Sequence, residues 1–258
     1  MTPYQKWISF YTIVRKDIVR IVRIWAQTFL PSVVTSILYF LIFGTFLGAK
    51  IGEVHGVSYI MFVVPGLVML SVVTNSYMNT SFTMFMSKFF ARTIDEILVS
   101  PTPPWVLVSG FVAGGVVRGV TVGLLVLLVS LFFTNLVVSN LFIIILFLVL
   151  TSVVFALAGL VNGVYAKSID GINIVPTFVL TPLVYLGGVF YSAQTLPGFW
   201  GTLTKFDPIF YIINGFRYGF LGFSDVPVGY SILLLAALAI LLLGGAIYLI
   251  KTGLGLRQ

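Results

Sequence analysis

The chain has 258 residues, of which 59% are hydrophobic and only 8% charged, with a formal net charge of +7. A soluble domain carries roughly 25% charged residues, and 14 basic and 7 acidic side chains cannot cover the surface of a globule this large. A soluble enzyme is excluded, and with a mean hydropathy of +1.14 the chain reads as an integral membrane protein. The basic excess is the Lys and Arg that membrane proteins gather on cytoplasmic loops, so no nucleic-acid partner is expected. Without cysteine there is no disulfide, thiolate metal site or Cys nucleophile, and with one histidine neither a zinc nor a haem site is expected.

At roughly 20 residues per span, the chain is predicted to be a single transmembrane domain over residues 1–258, all-α, with little left for a soluble domain. Residues 4–23 are interrupted by Lys6, Arg15, Lys16, Asp17, Arg20 and Arg23 and so do not span. Trp7, Tyr11, Val14, Ile18, Ile21 and Val22 recur at helical spacing, with Lys16, Arg20 and Arg23 opposite. That is an amphipathic helix, either lying in the headgroup region or packed on the rest of the protein. No cleavable signal peptide is expected, because no small-residue cleavage site follows the first apolar run.

Six spans are predicted, at about 24–48, 57–82, 105–133, 141–166, 172–192 and 228–250. Between the second and third, residues 83–104 form the only long charged connection, with Lys88, Arg92, Asp95 and Glu96 closed by Pro101, Pro103 and Pro104. Phe90, Ile94, Ile97 and Leu98 fall on one helical face there, and Arg92, Asp95 and Glu96 fall together. Such a helix can dock into a soluble partner or lie on the membrane. Segment 193–225 is too broken to span and too apolar for a solvated loop. Asp207 is predicted as an N-cap, with Pro208 at the first position of a helix to about Phe220. The segment reads as two re-entrant half-helices dipping into the outer leaflet, or as an ordinary extracellular loop. With both termini cytoplasmic, ten basic residues fall inside and three outside, the orientation the loop-charge rule favours.

Candidate chemistry is sparse. His55 reads as a solvated loop residue beside Gly52 and Gly56. Every acidic residue lies outside the spans, which disfavours proton coupling. Arg118 is the one cation within a span. Counted from Trp105 at about 1.5 Å per residue, it lies roughly 20 Å in, past the middle of a core about 30 Å thick. It follows Gly110 and Gly114, and Gly115, Gly119 and Gly123 extend the small-residue surface. Gly114, Arg118 and Gly119 therefore mark a subunit interface or translocation path, or else Arg118 is structural, bonded to carbonyls or snorkelling.

Taken in order, these features resemble the permease subunit of type-2 ABC exporters over essentially the whole chain, in particular the bacterial YadH-like permeases. The carriers are Arg92-Thr-Ile-Asp95-Glu96-Ile-Leu-Val-Ser-Pro101, Val64-Pro65-Gly66, Gly187-Gly188-Val189-Phe190-Tyr191, Asp207-Pro208-Ile209 and Gly215-Phe216-Arg217-Tyr218-Gly219. The resemblance implies a homodimer on two copies of a separate ATPase, located in the bacterial inner membrane. It makes the inner loop a coupling helix, with Arg92, Ile94, Asp95, Glu96, Leu98 and Pro101 meeting the ATPase. It also places the N-terminal helix at the membrane surface, and Asp207, Pro208, Arg217 and Tyr218 in the outer re-entrant segment. No G-x-x-x-x-G-K-[ST] occurs in the chain, so ATP and Mg are expected on the partner and no cofactor on this chain. The expected function is export of an amphipathic or lipid-linked substrate: a lipid, a lipid-linked glycan or a hydrophobic drug. The alternatives are a membrane scaffold or assembly subunit without transport, and a secondary transporter.

Overall fold

A computed structural model describes residues 1–90, 94, 96, 99–192 and 198–255. Among them the protein is helical apart from one two-stranded hairpin. Helix α1 (Pro3–Arg23) starts at a capping box: the Thr2 hydroxyl accepts from Gln5 N and the Gln5 side chain accepts from Thr2 N. The chain turns at Ile24 into α2 (Trp25–Ile51), which loosens into π-helical turns over Phe40–Leu47. Gly52, at φ +75°, ends it. Strands β1 (Glu53–Val54) and β2 (Val57–Ser58) then pair around His55 and Gly56, both at positive φ, as a type I′ hairpin requires. His55 is exposed at this turn, its ring 5.3 Å from that of Phe223.

Helices α3 (Tyr59–Phe89), α4 (Pro104–Ser130), α5 (Leu141–Tyr165) and α6 (Ile169–Leu186) follow. Then come two shorter helices, α7 (Gly198–Lys205) and α8 (Pro208–Leu221), and finally α9 (Val228–Thr252). Six helices, α2 to α6 and α9, are long and apolar enough to cross a membrane. This is an all-α membrane protein. Two spans differ most from the expected bounds. Helix α3 continues to Phe89 rather than 82, because Lys88 folds back and donates to the Val164 carbonyl at 3.2 Å. Helix α6 stops at Leu186 rather than 192, because Gly188 takes φ +82° and turns the chain away.

Helix α3 is the axis of the fold, with α4 and α5 packed on it and α8 closing one end. Lipid offers leucine no less apolar surroundings than protein does, so helices associate where small residues let backbones approach. Gly159 of α5 lies directly over the Tyr77 carbonyl of α3, and a Cβ at Gly163 would be 2.5 Å from the Ser81 carbonyl. Val68, Val72, Phe147, Leu148, Ile213 and Phe216 fill the centre between these contacts. The bundle has two ends. The basal end collects α1 and the chain around Phe89, Pro104, Tyr165, Ile169 and Thr252. The hairpin end holds the β-hairpin, the α4–α5 turn, α7 and α8.

Candidate functional site

The basal end holds a buried polar cluster. Asp17 lies on the face of α1 that carries Ile13 and Ile21, and only 4% of it is exposed. Its carboxylate pairs with Arg20 at 2.5 Å and accepts from Asn79 Nδ2 at 2.9 Å and from Thr83 at 3.4 Å. Arg20 in turn donates to Asn79 Oδ1 at 2.8 Å. Gly114 of α4 makes room for this carboxylate, since a Cβ there would occupy the position of Asp17 Oδ2. One turn earlier, a Cβ at Gly110 would be 2.9 Å from Ile13. Helix α1 is thus seated on the glycine surface of α4.

Arg118 is half-buried, close enough to Asp17 and Arg20 for their charges to act on it, and its Nε has no hydrogen-bond partner. It therefore lies level with the charges of α1. Arg15, Lys16 and Arg23 are exposed on that helix, and such a group of cations does not rest inside hydrocarbon. The 31 residues of α3 also rise about 46 Å at 1.5 Å each, well beyond a core of roughly 30 Å. Counting from Trp105 puts Arg118 past the midplane; the seating of α1 puts it near the basal boundary. Gly119, by contrast, faces Ser76 and Ser152 within the chain, and Gly115 faces Thr80 and Ala156.

Of the residues assigned to a coupling helix, Arg92, Asp95 and Leu98 lie outside the described residues. Ile94 is 1% exposed and clusters with Met84, Leu107, Phe111 and Leu160, so its side chain is turned into this chain. Glu96 and Pro101 are exposed, and so is Val99. The Glu96 carbonyl accepts from Ser100 N at 3.2 Å.

At the hairpin end α8 is deeply buried. Asp207 caps it, its Oδ1 accepting from Ile209 N at 2.8 Å, and Pro208 fills the first position. Asp207 Oδ2 is buried without a partner, and burial raises the carboxyl from its ordinary 3.8 to about 7, the Ile209 N–H opposing. Gly215 is pressed against the Phe147 ring, and the Gly219 carbonyl accepts from both Ser139 N and Asn140 N. Arg217 is 1% exposed. It donates to the Gly188 carbonyl at 2.9 Å and stacks its guanidinium 3.7 Å from the centroid of the Phe62 ring. Burial pulls it down to about 10, with Asp225 opposing, so it remains charged near neutrality. Tyr218 is half-buried on the same helix.

Between the two ends, α2 and α6 are largely uncovered and meet through long side chains. The Tyr39 and Tyr185 hydroxyls are 3.4 Å apart, and the Phe43 and Phe190 rings stack at 4.2 Å. Asn173, Thr177, Thr181 and Tyr185 form an exposed polar row along α6. Four-residue steps on a regular α-helix drift by about 40° each. The π-turn Pro176–Leu180 counters that drift, and Thr181 Oγ1 donates to the Pro176 carbonyl it frees. The exposed face of α9 carries instead Leu233, Ala237, Ile240 and Leu241, with Tyr230 and Tyr248 only toward its ends.

Sequence reasoning missed Asp17, Asn79 and the α6 row. The signals were present: an acid on the apolar face of α1, Asn75, Asn79 and Thr83 at four-residue steps in α3, and Asn173 to Tyr185 at the same step.

Six helices long and apolar enough to cross a membrane define a multi-pass helical membrane protein. The chain belongs to the ABC-2 type transporter family, which matches residues 8–221. It is 51% identical over 254 residues to the inner membrane transport permease YadH of Escherichia coli (strain K12), covering 98% of each chain. To nodulation protein J of Rhizobium meliloti (strain 1021) it is 27% identical over 228 residues, 88% of this chain and 85% of that one. The corresponding protein of Rhizobium leguminosarum bv. trifolii is 26% identical over 224 residues, 86% and 84% of the two chains. The protein is a membrane permease of this family.

Proposed function

We propose that the chain is the transmembrane subunit of an ATP-binding-cassette exporter, working as a homodimer with two copies of a separate ATPase that carries the ATP and Mg. It resides in a bacterial inner membrane with both termini cytoplasmic, and moves an amphipathic or lipid-linked molecule outward or from the inner leaflet. The observation that carries this reading is the polar row Asn173, Thr177, Thr181 and Tyr185 on the open face of α6. Amide and hydroxyl groups are costly against lipid, while α9 shows what a lipid-facing helix of this chain looks like. A second copy across the α2–α6 face encloses the row and makes a path with mixed polar and apolar walls. Such walls suit a substrate that is itself amphipathic.

The basal end supplies the ATPase contact in this reading. Glu96, Val99 and Pro101 stand exposed, and with Arg92, Asp95 and Leu98 they form the coupling element. Arg118 stands at the seat of α1 rather than touching substrate.

The chain has no native cysteine, so single cysteines are clean probes. Thr177→Cys should form a disulfide-linked dimer in membranes, whereas Ile240→Cys on α9 should not. Purification with the cognate ATPase should recover both proteins, and the double reversal Asp95→Lys with Glu96→Lys should abolish that recovery while leaving the permease in the membrane. Cysteines at Ser9 and Ser224 should label from opposite sides. A chain that transports down an ion gradient with no ATPase present overturns the reading.

A further inference from the structure

A cavity of about 590 Å³ opens between α1 and the basal parts of α3 and α4. Its floor is apolar, formed by Ile13, Met86 and Phe111, and its rim carries Arg15, Lys16 and Arg23 together with Arg20. The one carboxylate on the wall is Asp17, and it is already committed to Arg20, Asn79 and Thr83. Arg15, Lys16 and Arg23 have no ion-pair partner among the described residues. Arg20 also keeps a buried Nε–H without an acceptor. The folded chain thus builds a pocket with an apolar floor and an uncompensated cationic rim.

Its surroundings identify the phase it faces. Trp7, Tyr11 and Trp25, along α1 and its junction, are all exposed, between 52% and 62%. Tryptophan and tyrosine collect where headgroups meet acyl chains. We propose that this cavity holds an anionic phospholipid of the surrounding bilayer, with its phosphate among Arg15, Lys16 and Arg23 and an acyl chain along Ile13, Met86 and Phe111. The lipid serves to pin α1 against α4, since its phosphate neutralises the unpaired cations of α1 while its acyl chain packs on Ile13 of α1 and Phe111 of α4. The proposal rests on the exporter reading only for which leaflet supplies the lipid. It is measured on the permease without its ATPase, so the two stand or fall separately.

The full chain is purified, given phosphatidylglycerol or phosphatidylcholine of equal acyl length, and the retained lipid is counted by native mass spectrometry. Each basic residue near a membrane surface favours anionic lipid appreciably, so the parent should retain phosphatidylglycerol on the order of tenfold or more over phosphatidylcholine. The triple change Arg15→Gln, Lys16→Gln, Arg23→Gln should erase that preference, whereas Lys6→Gln with Lys251→Gln, away from the cavity, should keep it. Met86→Trp fills the floor with all charges intact and should release the lipid. It also decides the matter if the triple variant fails to fold. Equal retention of the two lipids by the parent overturns the proposal, as does an unchanged preference in the triple variant or in Met86→Trp. Displacement of the lipid by inorganic phosphate alone also sinks it, because the acyl contact then contributes nothing. A dimer that excludes lipid and cross-links through α1 would make the cavity an interface between copies instead.

Discussion

Helices α3 and α2 both cross the membrane, and by hydropathy α2 is the more apolar, at 1.9 against 1.7. Yet 67% of the most apolar stretch of α3 is buried against 11% for α2. In water the more hydrophobic helix would be the inner one. In a bilayer that ordering has no force, because lipid accepts leucine as readily as protein does. What draws α3 inside is complementary shape and bonding: Gly159 and Gly163 of α5 open onto its backbone, and its own Asn75, Asn79 and Thr83 find partners on α2 and α1. The α2–α6 pair has the opposite character, with π-turns in both helices and hydroxyls on an uncovered face. The fold thus divides into a close-packed core and a looser pair, the one suited to hold and the other to enclose a path or move.

The sharpest way to break that division is in the core. Gly159→Val sets two methyl groups into the Tyr77 carbonyl and its helix, and should cost more than about 3 kcal/mol, seen as loss of a monodisperse peak or a collapse of Tm. Gly244→Val on α9, where a Cβ meets nothing within 4 Å, should change neither. If Gly159→Val is tolerated, the rigid-core account fails.

Next in size is the seat of α1. Asp17→Leu strips Arg20 and Asn79 of their acceptor and should cost roughly 2–3 kcal/mol, visible as faster proteolysis near Ile24. Asp17→Asn, which keeps part of the hydrogen bonding, should lose less. Equal losses would show the ion pair to be idle.

On the loose pair the expectation reverses. Thr177→Val and Thr181→Val should shift stability by less than about 1 kcal/mol, in line with the modest worth of such bonds within membranes. Transport, however, should fall or change its substrate preference. A variant that is unstable yet transports normally would move the row from function to packing.

A further effect concerns pH at the hairpin end. The Asp207 carboxyl is raised in the folded protein from 3.8 to about 7. The folded state therefore binds a proton that the unfolded chain releases, and protonation stabilises. Stability should rise as pH falls from about 8 toward 5, and this contribution should be lost as pH climbs through 7. Asp207→Asn, which keeps the cap, should flatten the trend by roughly a few degrees of Tm.

Much of this was open to reading in the chain. Charge scarcity decided the solvent, apolar runs placed the spans, and Asp207-Pro208 marked the start of α8 at its observed residue. The hairpin at His55-Gly56 escaped notice because two-residue strands leave no periodicity to detect. Arg217 was placed in the outer re-entrant segment, with nothing in the sequence to show how deeply it is buried. Its burial comes from Phe62, Gly188 and the glycines of α8, residues distant in sequence or silent in composition.

What the sequence determined by itself is therefore whatever depends on the solvent: an all-α chain, its six crossings and the ends where charge collects, because each residue's cost in lipid or water is a local property. What the tertiary structure alone decided is which crossings form the core, which glycine faces which carbonyl, and that Asp17, Arg20, Asn79 and Arg118 share one level. Those are relations between distant residues, and in a bilayer hydropathy carries no record of them.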